Sequence, residues 1–254
     1  YPTDYSTGFL IVGDFFRKYA YAVWYTVVIS WKTDGFRKCK YSLFRTNFFR
    51  KDFSSMKAYE RLLSYVKIFT PSNEESTSSP SSRCQFDLAR LLVEELKGLG
   101  ISDVTLDDHC YVYAHLPATE GLEHCKALGF IAHMDTVSDF CDHAVTPVIT
   151  ENYDGKDLPL GTSGRTLSPE MFSHLTSLAG RTLITSDGTT ILGADDKAGI
   201  AEILTALEHI LTEKIPHGPL CVAFTPDEEI GMGPAHFNVK KFGADYAYTL
   251  DGDT

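Results

Sequence analysis

The positions of hydrophobic residues from residue 56 onward predict an alternation of helices and strands. A first helix is expected from apolar residues at helical spacing, namely Leu62, Leu63, Val66 and Phe69. Pro71 and the polar run 72–82 then predict a loop, and a second helix is expected over 85–97. Residues 107–115 alternate between polar and apolar types, as expected of a half-buried strand.

Three later segments are continuously apolar, which is typical of strands that helices cover on both faces. They are residues 127–132, 220–224 and 244–250. An apolar stripe over 197–213 predicts a helix that packs on the sheet, and the polar segment 138–180 predicts loops and short strands. The whole pattern predicts an α/β fold in which helices flank a sheet.

Composition narrows the class of protein. The chain has 254 residues and 43% hydrophobic content, which is enough for a folded core. Its net charge of -11 argues against a nucleic-acid partner, because phosphate binding requires a basic surface. The six cysteines are scattered and form no C-x-x-C pair, so we interpret them as reduced thiols of a cytoplasmic protein.

Residues 1–55 differ from the rest of the chain in composition. They carry a net charge of +5, against -16 for the other 199 residues, and they hold 16 of the 31 aromatic residues. Their apolar run 19–31 is shorter than the ~20 residues that a membrane-spanning helix needs. No membrane partner is therefore expected, although an interfacial anchor is the alternative. Because the first methionine is Met56, we expect residues 1–55 to be an unrelated extension outside the fold.

Residues that can bind metals follow each of the three apolar runs. The first run leads into His133 and Asp135, which project to the same side of an extended chain because they are two residues apart. The second leads into Glu228 and Glu229, and the third leads into Asp251. Ligands of open α/β sheets bind at the carboxyl ends of the strands, so we expect these side chains to converge.

Asp195 precedes the helix predicted over 197–213. An acid at the start of a helix is ordinarily a cap, but here a carboxylate at the same edge of the sheet could bridge two cations. Imidazole and carboxylate ligands suit Zn²⁺, and a shared acid predicts two ions ~3.5–4 Å apart. Such a centre predicts amide hydrolysis, with one of Glu228 and Glu229 as a ligand and the other as the base. A magnesium phosphotransferase is disfavoured because the sequence lacks a Gly-rich phosphate loop.

These residues lie in longer segments that resemble the M20 metallopeptidases, and among them the tripeptide aminopeptidases. The matching segments are GFIAHMDTV at 129–137, TTILGADDKAGIAEILTAL at 189–207, and residues 216–253. The resemblance covers nearly everything from Met56 onward. It implies that residues 56–254 are the N-terminal portion of a zinc-peptidase-like catalytic domain, with a mixed sheet flanked by helices. It also implies a cytoplasmic enzyme that releases the N-terminal residue from tripeptides.

The same resemblance implies a role for each candidate residue. It makes His133 and Asp251 ligands of one Zn²⁺, Asp195 the bridging ligand and Glu229 a ligand of the second Zn²⁺. It makes Asp135 the catalytic residue beside the metal-binding histidine, and Glu228 the general base. A cis peptide bond between Asp195 and Asp196 is also implied.

Two departures from the family pattern leave alternatives open. Family members continue into a smaller domain that supports homodimer formation and covers the substrate, and they then supply a last histidine to the second Zn²⁺. This chain ends near the point where that domain is expected, and its other histidines lack the matching context. We therefore expect an incomplete second site. The alternatives are another M20 amidohydrolase (a dipeptidase, carboxypeptidase or deacylase), or an inactive truncated metal-binding fragment.

Overall fold

The computed structural model describes residues 10–12 and 56–251. In chain order, the strands are β1 (Leu10–Val12), β2 (Asp103–Leu106), β3 (Val112–Leu116), β4 (Leu128–His133), β5 (Pro147–Thr150), β6 (Leu158–Pro159), β7 (Thr166–Leu167), β8 (Thr182–Ser186), β9 (Leu220–Thr225) and β10 (Tyr246–Thr249). The α-helices are α1 (Ala58–Tyr65), α2 (Gln85–Gly98), α3 (Ala194–Thr212) and α4 (Val239–Phe242), and Ser173–Leu178 forms a 3₁₀ helix.

The largest sheet in the described part of the chain has five strands in the order β10-β4-β9-β3-β2. The strands β10, β4 and β9 run parallel to one another, whereas β3 and β2 are antiparallel to their neighbours. The prediction of a mixed sheet flanked by helices is confirmed. The three predicted apolar runs became its three parallel strands, so their carboxyl ends share one edge.

Three helices cover one face of this sheet. Their buried residues form a continuous core with inward-facing residues of the strands, including Leu62, Leu92, Leu204, Ala132 and Phe224. A buried guanidinium also ties the helices together, since Arg61 bonds to Glu95 of α2 at 2.6 Å and to Glu208 of α3 at 2.7 Å. The helical spacing in the sequence correctly predicted α1, although Val66 and Phe69 lie beyond its end.

Aromatic residues cover the opposite face. Tyr111 and Tyr113 pack there with Phe242 of α4 and with Phe237. In β4, a side chain at Gly129 would overlap the ring of Phe242, which explains a glycine in the middle of a strand. All four residues of β10 are exposed, so this apolar run does not form a covered strand within the described residues.

The prediction for residues 107–115 was wrong in its first half. The strand β3 begins at Val112, and residues 107–111 form the turn of a hairpin that joins it to β2. The Asp107 carboxylate accepts hydrogen bonds from the backbone N–H groups of His109 and Tyr111. Aspartate stabilises turns in this way, and the alternation of residue types concealed the signal.

The polar segment 138–180 contains the short strands β5, β6 and β7, as predicted. Strand β5 belongs to a smaller sheet with the order β1-β8-β5. Its strand β1 pairs antiparallel with β8. The other residues of the segment 1–55 lie outside the described residues, so its interpretation as an unrelated extension remains a prediction. No helix in the described ranges has both the length and the apolar character needed to cross a bilayer.

Candidate metal centre

The carboxyl ends of the three parallel strands place the candidate residues. His133 is the last residue of β4 and pairs in register with Thr225, the last residue of β9. The strand β10 ends at Thr249, two residues before Asp251. Because neighbouring parallel strands end at the same edge, segments far apart in the sequence meet there.

Three of the four predicted ligands form one group. Side-chain ligand atoms of His133, Asp195 and Asp251 all lie within 4.8 Å of one another. Within the group, His133 Nε2 and Asp195 Oδ1 lie 2.9 Å apart. The imidazole is buried, whereas both carboxylates are exposed, so the group opens to solvent on the side where a substrate can approach.

The start of α3 presents Asp195 toward this group. Gly193 has a left-handed backbone, with φ of 69°, and Asp195 and Asp196 depart from helical dihedral angles. The peptide bond between these two aspartates is cis, as the resemblance implied. Asp196 is buried, and its carboxylate accepts hydrogen bonds from the backbone N–H groups of His133 and Gly199. Asp196 therefore ties the end of β4 to the first turn of α3.

Asp135 is fully buried beneath the group. Its two carboxylate oxygens accept hydrogen bonds from the backbone N–H groups of Glu228 and Glu229, at 3.0 and 3.2 Å. One of them also lies 3.4 Å from His133 Nδ1. Asp135 thus contacts the histidine and the loop after β9 at once, which allows it to orient the imidazole.

The two glutamates after β9 differ in their surroundings. The carboxylate of Glu228 is 47% exposed, and its Oε2 lies 3.9 Å from His133 Nε2. Glu229 is half-buried and does not belong to the group formed by His133, Asp195 and Asp251 in the described part of the chain. Three of the predicted ligands therefore lie together, and Glu229 lies outside their group.

Comparison with known proteins gives a family and close relatives. Residues 187–252 match the family described as "Peptidase family M20/M25/M40". A curated protein named peptidase T from Alkaliphilus oremlandii is 53% identical over 196 residues, which cover 76% of this chain and 48% of the relative. The peptidase T of Bacillus licheniformis is 52% identical over 198 residues, covering 77% and 48%. The resemblance to the M20 family is confirmed.

Solved M20 structures share the fold. The aminopeptidase PepT from Bacillus cereus ATCC 10987 matches with a TM-score of 0.55 and 25% identity, covering 78% of this chain and 43% of that one. A tripeptidase from Staphylococcus aureus subsp. aureus Mu50 matches with a TM-score of 0.54 and 26% identity over the same shares. The chain spans about half the length of the curated relatives that it matches.

A close approach of α3 to β10 depends on one glycine of the M20 segment. A Cβ atom at Gly199 would overlap the carbonyl oxygen of Leu250 and the carboxylate of Asp196. Since Leu250 directly precedes Asp251, only a glycine allows α3 to pass so near to that aspartate.

We expect Gly199→Ala to lower the free energy of unfolding by about 1–3 kcal/mol, because the new methyl group overpacks this contact. It should also weaken zinc binding, because Leu250 must move. Urea denaturation and zinc titration measure the two effects. Gly98→Ala is the matched control, since no atom lies within 4 Å of a Cβ placed there. Equal behaviour of the two variants would contradict this account.

Charges at this site perturb one another strongly. Burial alone would lower the pKa of His133, but hydrogen bonds to Asp135 and Asp195 and the charges of Asp135 and Asp196 raise it to about 11 without a metal. Burial raises the pKa of Asp196 to about 8 and that of Glu229 to about 7, although the nearby His133 opposes both shifts. Partial burial likewise raises the pKa of Glu228. Clusters of this kind are typical of functional sites.

These shifts predict that zinc binding releases protons. A metal binds the neutral imidazole, but His133 is charged at pH 7 in the metal-free protein, so Zn²⁺ must displace its proton. We expect the apparent zinc affinity to rise about tenfold per pH unit between pH 6 and 8 for each proton released. Calorimetry in two buffers that differ in ionisation enthalpy measures the number of protons. Release of none would contradict the role of His133, and His143→Ala serves as the control.

The structure adds three buried charged residues to which the sequence analysis assigned no role in the site: Asp196, Lys197 and Asp227. The ammonium group of Lys197 donates a hydrogen bond to the carbonyl of Ile68, and burial lowers its pKa to about 8. Asp227 lies directly before the two glutamates. In the sequence, the one sign that these three residues support the site was that each lies next to or near a predicted site residue.

Proposed function

We propose that this chain forms the N-terminal portion of the catalytic domain of a di-zinc tripeptide aminopeptidase. The whole enzyme would release the N-terminal residue from tripeptides in the cytoplasm. The observation that supports the proposal most strongly is the convergence of His133, Asp195 and Asp251 at the carboxyl edge of the sheet. The similarity to proteins named peptidase T over 76% of the chain supports the substrate class.

The donor set suits zinc. A neutral imidazole nitrogen and carboxylate oxygens are preferred ligands of Zn²⁺, and three exposed or half-exposed acids near one another need a counter-charge. We propose that His133 and Asp251 hold one ion, that Asp195 is shared between the ions, and that Glu229 contributes to the second. The position of Glu229 outside the group of three favours tighter binding of the first ion.

Bound zinc supplies Lewis acidity, which polarises the scissile carbonyl and acidifies a water molecule. We assign to Glu228 the role of accepting a proton from water. Its exposed carboxylate, its position near His133 and its raised pKa support this role. It would then deliver this proton to the leaving amine. Asp135 keeps the imidazole oriented and, through two backbone N–H groups, holds Glu228 in place.

A second candidate is a single-ion metal-binding fragment without peptidase activity. It is favoured by the position of Glu229 outside the group formed by His133, Asp195 and Asp251. An M20 amidohydrolase with another substrate, such as a dipeptidase, carboxypeptidase or deacylase, is the third. A peptide is the expected partner in the first and third cases, and a homodimer is expected for the whole enzyme.

Zinc counting combined with substrate profiling separates these candidates. The purified chain would be dialysed against Zn²⁺, its metal content measured, and tripeptides, dipeptides and N-acyl amino acids offered as substrates. About two ions per chain with tripeptide cleavage would support the aminopeptidase. One ion and no cleavage would favour the fragment, a different preferred substrate would favour another amidohydrolase, and no bound ion would overturn the proposal.

A further inference from the structure

The loop after β9 is held at three successive backbone positions. The N–H groups of Glu228 and Glu229 bond to Asp135, and the N–H group of Asp227 bonds to Gln85 Oε1 at 3.2 Å. Asp227 itself adopts a left-handed backbone, with φ of 56°, which is uncommon for a residue with a side chain. The side chains of Asp135 and Gln85, which belong to other segments, thus fix the direction in which the loop leaves β9.

The side chain of Asp227 lies in the interior, where it is 2% exposed. Its carboxylate accepts hydrogen bonds from Ser81 N at 2.7 Å, from Ser81 Oγ at 2.5 Å and from Gln85 Nε2 at 2.6 Å. Gln85 is fully buried and is the first residue of α2. Its amide group therefore contacts Asp227 twice, once at the carboxylate and once at the backbone.

We propose that Gln85 is a positioning residue for Glu228 and Glu229, acting through Asp227 together with Ser81. This inference rests on the proposed function, since it concerns the two glutamates assigned there. Every polar group of the cluster is buried and paired, and leaving one unpaired is costly. The cluster consequently favours one conformation of the loop over others that would break these hydrogen bonds. Helix α2 thereby fixes the position of residues 142 positions away in the sequence.

An exchange of donor and acceptor tests the contact directly. Gln85→Glu alone places two carboxylates at the 2.6 Å contact, and Asp227→Asn alone places an amide NH₂ against the NH₂ of Gln85. The double variant restores the pair between the side chains at 85 and 227, but not the bond from Ser81 Oγ to Asp227 Oδ1 or the bond from Gln85 Nε2 to Ser82 Oγ. Its new amide at 227 accepts from Ser81 N and donates to the new carboxylate at 85, which also accepts from the backbone N–H of residue 227.

Two readouts follow the loop and the metal separately. Hydrogen exchange of the peptide 226–234 reports the loop with or without metal, and zinc titration reports the site. We expect each single variant to exchange faster over this peptide and to bind zinc about 10–100-fold more weakly, as when a group that supports a ligand is lost. We expect the double variant to recover part of both properties, because only the contact between residues 85 and 227 is restored. Gln85→Met, which lacks both hydrogen bonds and carries no charge, keeps the test valid if a charge variant fails to fold.

Tyr65→Phe is the control, because it removes a buried hydrogen bond to Glu95 that is remote from the loop. It should lower stability and leave loop exchange and zinc affinity unchanged. The inference is overturned if folded Gln85→Met exchanges and binds zinc like the wild type, or if the double variant is no better than the single variants. If the wild type binds no zinc, the proposed function fails, and loop exchange still decides the role of Gln85.

Discussion

Asp195→Ala is expected to abolish tight zinc binding. Asp195 Oδ1 lies 2.9 Å from His133 Nε2, and its carboxylate is the group proposed to be shared by both ions. Its loss should exceed the 10–100-fold decrease in metal affinity that is typical when a residue merely supports a ligand. The removal of a negative charge from a crowded acidic site also leaves the remaining carboxylates with less need for a cation. Metal content after dialysis, measured per folded chain, gives the result.

Asp142→Ala is the matched control for this variant. Asp142 is also an exposed aspartate beside a histidine, at 87% exposure, but its partner is His143. It should retain the zinc content of the wild type. Zinc retention by Asp195→Ala, or equal losses in both variants, would remove Asp195 from the proposed centre.

The second large effect is expected for Glu228→Gln. Glutamine keeps the size of the side chain but cannot accept and pass on a proton. In any form of the protein that cleaves a tripeptide, we expect kcat to fall by about 10²–10⁴-fold, the range for loss of a general base. Zinc content should stay the same, because Glu228 is not assigned as a ligand.

Glu229→Gln distinguishes the two adjacent glutamates. We expect this variant to lose zinc from the second position, so its activity falls together with its metal content. Unchanged turnover by Glu228→Gln would show that the residue is not the base. A loss of zinc from Glu228→Gln would exchange the proposed roles of the two residues.

The parallel strands, and the edge of the sheet where the site forms, could be predicted from the sequence. Both depend on the local pattern of apolar and polar residues. Continuous apolar runs predicted β4, β9 and β10, and the polar residues after each run predicted where a site would form. The register that pairs His133 with Thr225 was not predicted. The order of the strands and the antiparallel placement of β3 and β2 required the structure.

The contacts that support the site could not be predicted in this way. Gln85 is the first residue of a helix for which the sequence predicted no role in the site. Asp227 could not be distinguished from the other acids of its loop. Their hydrogen bonds join segments with no shared periodicity. The overlap that explains Gly199 likewise depends on where the end of β10 passes the helix. Such contacts follow from tertiary packing, whose pattern a single sequence does not display.

The most direct test of the central claim is the position of zinc in crystals of the protein grown with this metal. An anomalous difference map is expected to show a peak at ligand distance, about 2.0–2.2 Å, from His133 Nε2 and from carboxylate oxygens of Asp195 and Asp251. A second, weaker peak is expected beside Asp195 on the side of Glu229. Zinc bound elsewhere on the chain, with none at His133, would contradict the account.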